Sequence, residues 1–361
     1  MRPGLGPDEA RAYTECGPHH LPLHRLKAQP KTQQPVARAR EDPPHRRLFF
    51  FHVYAYVLGG VCLLHLMTGD WLPPVTLAAH LLPYFSIVAL IAIPLAWPRA
   101  QRLASLELLG SGILGLFLSL PMLAGGQAPL SQGEGRLLRI RTWNVGDGRA
   151  NAEEIAEALT QVEADVVCLQ ELAPGVGAAL DPLIADLFPY RVLHSLGRDG
   201  KALLSRWPIV SEHLVQPEVG HNIQRARIDF GGVELLVHNV HPSASIALLG
   251  RWSADEAVLL QSAKEAASHP RGILVGDFNL TPLARSYGRI QSSDLRNAFA
   301  EAGHGLGLSF PLFGRYRGVP LPPFVRIDHV WVSKAFAIQS AALGPDGGSD
   351  HLPLDVVLLV P

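Results

Sequence analysis

Residues 272–280 read GILVGDFNL. Gly272–Gly276 is a short run of small and apolar residues, the length of a buried strand. Asp277 and Asn279 follow where that strand ends. A strand that stops on an acid and an amide presents both at the sheet edge, where rigid scaffolds hold reactive groups. The same pattern recurs along the chain. Asn144 closes RTWNV (141–145) and Glu171 closes DVVCLQE (165–171). His241 closes LLVHNVHP (235–242), Asp328 lies in RIDHVWVS (326–333), and Asp350 and His351 lie in SDHLPL (349–354).

These residue types suit one chemistry. A hard divalent cation such as magnesium takes one or two carboxylates, waters and substrate phosphate. Glu171 and Asp350 can supply the carboxylates, with Asn144 beside them. Such an ion offsets charge developing on a phosphoryl group. Asp277 can orient or deprotonate water. Asn144 and Asn279 can donate to phosphoryl oxygens without adding negative charge. His241 and His351 can donate or carry protons near neutral pH, and Asp328 can hold one imidazole in a single tautomer.

The ordered set TWN, LQE, HP, GDFN, IDHVWVS and SDHLPL resembles the endonuclease/exonuclease/phosphatase (DNase I-like) superfamily over residues 137–361. The resemblance implies an α/β fold, a four-layer sandwich of two packed β-sheets flanked by helices. It implies hydrolysis of phosphate esters with Mg2+, or Mn2+ or Ca2+ in its place. Asp277, His351, Asp328, His241 and Asn279 are the implied catalytic residues. Asn144, Asn279 and His241 are the implied phosphate contacts, and Glu171, Asp350 and Asn144 the implied metal site.

The surrounding chain reads as short strands and helices. Leu138–Val145, Asp165–Gln170, Lys201–Ser205, Ile327–Val332 and Leu354–Val360 are strand candidates. Gln224–Phe230 and Val233–Val240 flank Gly231-Gly232 as a hairpin. Glu153–Val162 and Trp252–Ala267 are helical. His194, His221, His238, His269 and His304 receive no role. Arg326 reads as a solvated arginine, Arg225 and Arg227 as solvent-facing, and Cys168 as core.

The N-terminal third is different. Residues 1–47 are rich in Pro, Arg, Gln and His and read as a disordered tail. Three apolar stretches follow, Leu48–Thr68, Val75–Trp97 and Leu103–Ala124, with Glu107 the single Asp, Glu, Lys or Arg among them. Each is long enough to cross a bilayer, and Pro83 and Pro94 are tolerated in membrane helices. The expected domains are a tail (1–47), three transmembrane helices (48–124), a glycine-rich linker (125–136) and a catalytic domain (137–361). Arg46, Arg47, Arg99 and Arg102 flank the stretches on one side. The positive-inside rule then puts the N-terminus in the cytoplasm and the catalytic domain outside it.

Formal net charge is −1, and residues 126–361 carry 20 Lys+Arg against 25 Asp+Glu. That is no basic footprint for a nucleic-acid partner. The favoured reading is a membrane-anchored phosphoesterase acting on a phosphomonoester, phosphodiester or lipid pyrophosphate near the membrane. Its three-helix architecture is similar to that of membrane-anchored bacterial family members. The alternative is a surface nuclease acting on extracellular DNA or RNA. A third class, an inactive binding module, would need a broken motif, and none is broken.

Overall fold

The computed structural model describes residues 44–97, 102–123, 125–126, 134–249, 252–312, 314–318 and 320–361. The tail to residue 43, the second loop with Arg99, and most of the linker lie outside the described residues.

Helix α1 (Pro44–Thr68) opens four residues earlier than the apolar run. A 3-10 turn at Gly69–Trp71 leads to α2 (Pro73–Ala79), α3 (Leu82–Ala96), α4 (Arg102–Leu118) and α5 (Leu120–Leu123). Where α1, α3 and α4 meet, the buried residues are mostly small: Ala55, Cys62, Ser86, Ala89, Ser105 and Gly112. Large side chains such as Val57, Ile91, Leu95 and Phe117 point outward and are exposed. Glu107 is met by His52 and accepts a 2.6 Å hydrogen bond from the Tyr56 hydroxyl.

Three spanning helices were expected, and the structure corrects this. Among the described residues, only α1, over Phe49–Thr68, is by itself long and apolar enough to cross a membrane. The second stretch is broken: α2 and α3 meet at 67°, and they make a second span only if the bent pair counts as one. Pro83 therefore sits in the first turn of α3, where its missing N–H costs nothing, and not inside a span. Pro94 does lie within α3. The third stretch gives a 17-residue α4 and then α5, which contains Pro121. The breaks fall where polar groups find partners in the β-rich part. The His80 Nδ1 lies 2.6 Å from the Thr281 hydroxyl, and the Arg326 guanidinium donates to the Pro121 carbonyl at 2.9 Å.

The β-rich part holds two six-stranded sheets. The first runs β11 (Ala337–Leu343), β12 (Leu354–Val360), β1 (Arg136–Asn144), β2 (Val166–Gln170), β4 (Lys201–Ser205), β3 (Tyr190–His194). The second runs β5 (Ile209–Val215), β6 (Ile223–Asp229), β7 (Glu234–Val240), β8 (Gly272–Asp277), β10 (Asp328–Val332), β9 (Arg296–Asn297). Their inner faces meet in one core built from alternate residues such as Leu138, Ile140, Ala226, Ile228, Ile273 and Val275. Helices α6 (Ala152–Thr160) and α7 (Pro174–Leu183) cover the outer face of the first sheet. Helices α9 (Ala254–Ser268) and α10 (Arg285–Gln291) cover the second. Two sheets with helices on both outer faces make the four-layer sandwich. Asn151 starts α6 with a capping box to Glu154.

Candidate active site

Two parallel strand pairs bring their C-terminal ends together. Asn144 of β1 is opposite Gln170 of β2, so Glu171 follows one step beyond. Val240 of β7 is opposite Gly276 of β8, so His241 and Asp277 emerge side by side. Strand β10 runs antiparallel to β8 with Asp328 directly opposite Asp277. A hydrogen bond of 2.9 Å from Asn144 Nδ2 to Asp277 Oδ2 then joins the two sheets. Behind it, Gln170 donates to Asn239 Oδ1 at 2.8 Å, and Asn239 donates to the Leu169 carbonyl at 3.0 Å. This buried amide bridge ties the sheets just below the site.

The GDFN turn has a steric reason. Gly276 has φ 147°, and a Cβ there would lie 1.9 Å from the Val240 carbonyl oxygen, so only glycine lets β8 lie this close to β7. Glu171 and Asn279 adopt φ of 55° and 52°, a region non-glycine residues seldom occupy. Two candidate residues thus sit on strained backbone, held by the strands before them.

Asp277 is the centre. It is buried, and its Oδ1 accepts from the Asn279 N–H at 2.9 Å. Its Oδ2 faces His241 Nε2 at 3.5 Å and His351 Nε2 at 3.7 Å. Burial raises the Asp277 carboxyl to about 7, against the opposing pull of the His351 charge. Burial alone would push His351 down, but Asp328 and Asp277 outweigh it and raise the imidazole to about 10. The proton therefore belongs on His351. Asp328 Oδ2 takes the Nδ1–H at 3.0 Å, which turns Nε2 toward Asp277.

His241 is of the opposite kind. Burial, with Lys201 nearby, lowers it to about 3. Its Nδ1 faces the Arg198 carbonyl at 3.1 Å, which fixes the N–H there. The Nε2 lone pair then points at Glu171 Oε1 (3.6 Å) and Asp277 Oδ2 (3.5 Å). Three acceptors facing one another need a cation or a proton between them. Arg149 lies between the two remaining acids, 3.8 Å from Glu171 and 3.4 Å from Asp350. Burial raises Glu171, and Asp350 adds to the rise. This oxygen-rich donor set fits a hard divalent cation. Asp277, Asp328 and His351 also offer ligand atoms within 4.8 Å of one another. The Asp328–His351 hydrogen bond, at 3.0 Å, marks that trio as a proton-holding unit.

The structure thus gathers Asn144, Glu171, His241, Asp277, Asn279, Asp328, Asp350 and His351 at one end of the sandwich. Asn279 Nδ2 donates one N–H to the Pro242 carbonyl at 2.9 Å and so holds the turn that carries His241. Arg326, read as solvated, is 1 % exposed. It donates to the Leu306 and Pro121 carbonyls and lies over the Phe299 ring, so it joins the β-rich part to the helices.

Several neighbours went unread. Ser349 accepts from the His351 N–H at 3.1 Å and donates to the Asn144 carbonyl at 2.6 Å; its place in SDH was the available signal. Phe310 packs on His351 with ring centres 4.5 Å apart. His221 pairs with Asp255 at 3.0 Å and lies beside His241. Lys201 is fully buried, and burial lowers its amine to about 8 despite Asp199 and Asp255. A lysine opening a strand gave no sign of that.

The family model described as Endonuclease/Exonuclease/phosphatase family matches residues 142–351. No curated protein matches the chain. Among solved structures, an endonuclease/exonuclease/phosphatase family protein from Bacteroides thetaiotaomicron is 18% identical, covering 63% of this chain and 100% of its own, with TM-score 0.50. Sphingomyelinase C from Streptomyces griseocarneus is 18% identical over 63% of this chain and 100% of its own, with TM-score 0.48. A 3'-5' exonuclease from Neisseria meningitidis is 21% identical over 61% and 98%, with TM-score 0.49. At such identities the likeness concerns the fold alone.

Proposed function

The chain belongs to the endonuclease/exonuclease/phosphatase family, and from that premise we propose that it is a membrane-anchored, divalent-metal-dependent phosphoesterase working outside the cytoplasm. It is a hydrolase acting on phosphoester bonds. One observation carries the chemistry: a single carboxylate oxygen, Asp277 Oδ2, is faced by Asn144 and by two imidazoles of opposite character.

Asp277 orients the attacking water and takes its proton. Asn144 and the Asn279 N–H hold that carboxylate in place. His351, kept charged by Asp328, presents Nε2–H to a phosphoryl or leaving-group oxygen. His241, kept neutral with its Nδ1–H on the Arg198 carbonyl, offers its Nε2 lone pair to a donor on the phosphate ester. Glu171 and Asp350, with Asn144 adjacent, are the residues that would hold Mg2+ or Mn2+. When bound, such an ion neutralises charge on the phosphoryl group.

The anchoring reading rests on α1 and the helices packed on it. Their outward faces are large and apolar, and their one acidic residue, Glu107, is partnered by His52 and Tyr56 of α1. The basic flank at Arg46 and Arg47, ahead of the helix that is long and apolar enough to cross by itself, supports an external catalytic domain. A lipid-borne or small phosphate ester is favoured over nucleic acid, because a domain with excess acid lacks the cations that neutralise a polyphosphate backbone. The test is a panel on the full-length chain in detergent with magnesium: a polyprenyl pyrophosphate, sphingomyelin, a chromogenic phosphodiester, and single- and double-stranded DNA. Lipid or small-ester turnover at least tenfold above DNA supports this reading. DNA turnover above the rest replaces it with the nuclease.

A further inference from the structure

The loops that carry the catalytic residues also carry the exposed apolar side chains. Among the described residues of the β-rich part, ten large apolar side chains are exposed, and six lie on these loops: Leu196, Val219, Leu248, Trp252, Leu306 and Leu321. Leu196 sits in the turn whose Gly197 N–H bonds the Leu172 carbonyl beside Glu171, and whose Arg198 carbonyl holds His241. Val219 is two residues before His221, which lies against His241. Leu248 is on α8 (Ser245–Leu249), just after the Pro242 carbonyl that Asn279 holds. Leu306 and Leu321 flank a segment whose Leu312 N–H bonds the Asp350 carbonyl at 2.7 Å and whose Phe310 covers His351. Arg198, Arg315 and Arg317 are exposed on the same loops.

The end of the helical bundle meets this same rim. His80, just past α2, bonds Thr281, two residues beyond Asn279. Tyr84 on α3 donates to the Phe324 carbonyl. Trp71 and Trp252 meet edge-on, with ring centres 5.6 Å apart and both more than half exposed. Exposed tryptophan at the end of an apolar helix belongs at the bilayer surface. Clustered exposed apolar side chains mark an interaction face, and exposed arginine beside them suits anionic headgroups.

We propose that the rim of the catalytic mouth is itself a lipid-docking face: Leu196, Val219, Leu248, Trp252, Leu306 and Leu321 enter the headgroup region of an anionic bilayer, continuous with the anchoring helices. The mouth then opens onto the membrane surface and admits a phosphate presented by a lipid without that lipid leaving the bilayer. This rests on the membrane-anchored phosphoesterase reading and adds the direction of substrate entry.

The test uses the full-length chain, with Cys16→Ser, in nanodiscs of phosphatidylcholine alone or with about 30% phosphatidylglycerol, which gives the surface a negative potential. Leu248→Cys and Leu321→Cys each take a nitroxide label, and Val210→Cys, exposed on β5, is the control. Electron paramagnetic resonance compares collisions with oxygen and with a water-soluble nickel chelate. Labels at 248 and 321 should meet oxygen at least threefold more, relative to nickel, than the label at 210, and the contrast should grow with phosphatidylglycerol. Equal accessibility at all three sites overturns the docking face. A contrast indifferent to lipid charge overturns the role of the arginines. Turnover of a water-soluble phosphodiester is measured on the same samples. Turnover with labels in water keeps the phosphoesterase and rejects docking, whereas docked labels without turnover reject the phosphoesterase.

Discussion

Replacing Asp277 with asparagine keeps the shape of the side chain and removes its charge and basicity. In the wild type the carboxylate accepts from Asn144 Nδ2 and from the Asn279 N–H, each at 2.9 Å, and faces two imidazole nitrogens at 3.5 and 3.7 Å. In the variant, an amide oxygen that keeps the Asn279 contact turns its NH2 toward Asn144, donor against donor. That mismatch costs about 1–3 kcal/mol, but removing a buried carboxylate relieves its desolvation, so the melting temperature should move little. The rate should not be spared. A positioned base is worth about 10²–10⁴-fold, which at about 1.4 kcal/mol per decade is roughly 3–5 kcal/mol of transition-state stabilisation. Steady-state kinetics on a chromogenic phosphodiester, with folding checked by thermal melt, should show kcat reduced by that factor and KM little changed. If KM rose and kcat held, Asp277 would be a binding group and the role given to it here would be wrong.

His351→Ala should be about as severe, and Asp328→Asn should add little on top of it, because Asp328 acts through the His351 Nδ1; a double-mutant cycle that came out additive would separate the two. Glu171→Gln and Asp350→Asn should each lower activity and recover part of it at raised magnesium or manganese, while EDTA should abolish wild-type turnover; full activity in metal-free buffer would remove the ion from the account. A phosphatase reporter fused after Pro361 should be active and a cytoplasm-only fluorescent reporter dark, and the opposite pair would reverse the orientation.

The strand-end motifs were legible because a strand buried on both faces leaves a continuous apolar run, as in β2 and β8, and the polar residue after it stands out. The hairpin of β6 and β7 was legible from Gly231-Gly232. The edge strands β3, β5 and β11 were not, because their half-exposed residues mix polar and apolar without a clear run. The same holds for Arg326 and Lys201: a charged residue near a strand end reads as solvated, and only the three-dimensional arrangement shows a helix carbonyl or an acid waiting for it. The apolar stretches were read as uniform spans because hydropathy does not register where a helix breaks. Pro83 and Pro121 mark the breaks, but their meaning depends on Thr281 and Arg326, some 200 residues away in sequence.

The most direct test of the account follows the oxygen of the attacking water. The full-length chain hydrolyses a chromogenic phosphodiester in ¹⁸O-water with magnesium under single-turnover conditions, and both products are weighed by mass spectrometry. Attack at phosphorus by a water held at Asp277 predicts one ¹⁸O in the phosphate product, none in the phenol, and no label transfer in the Asp277→Asn variant on the same timescale. Label in the phenol, or equal label incorporation by the variant, would contradict it.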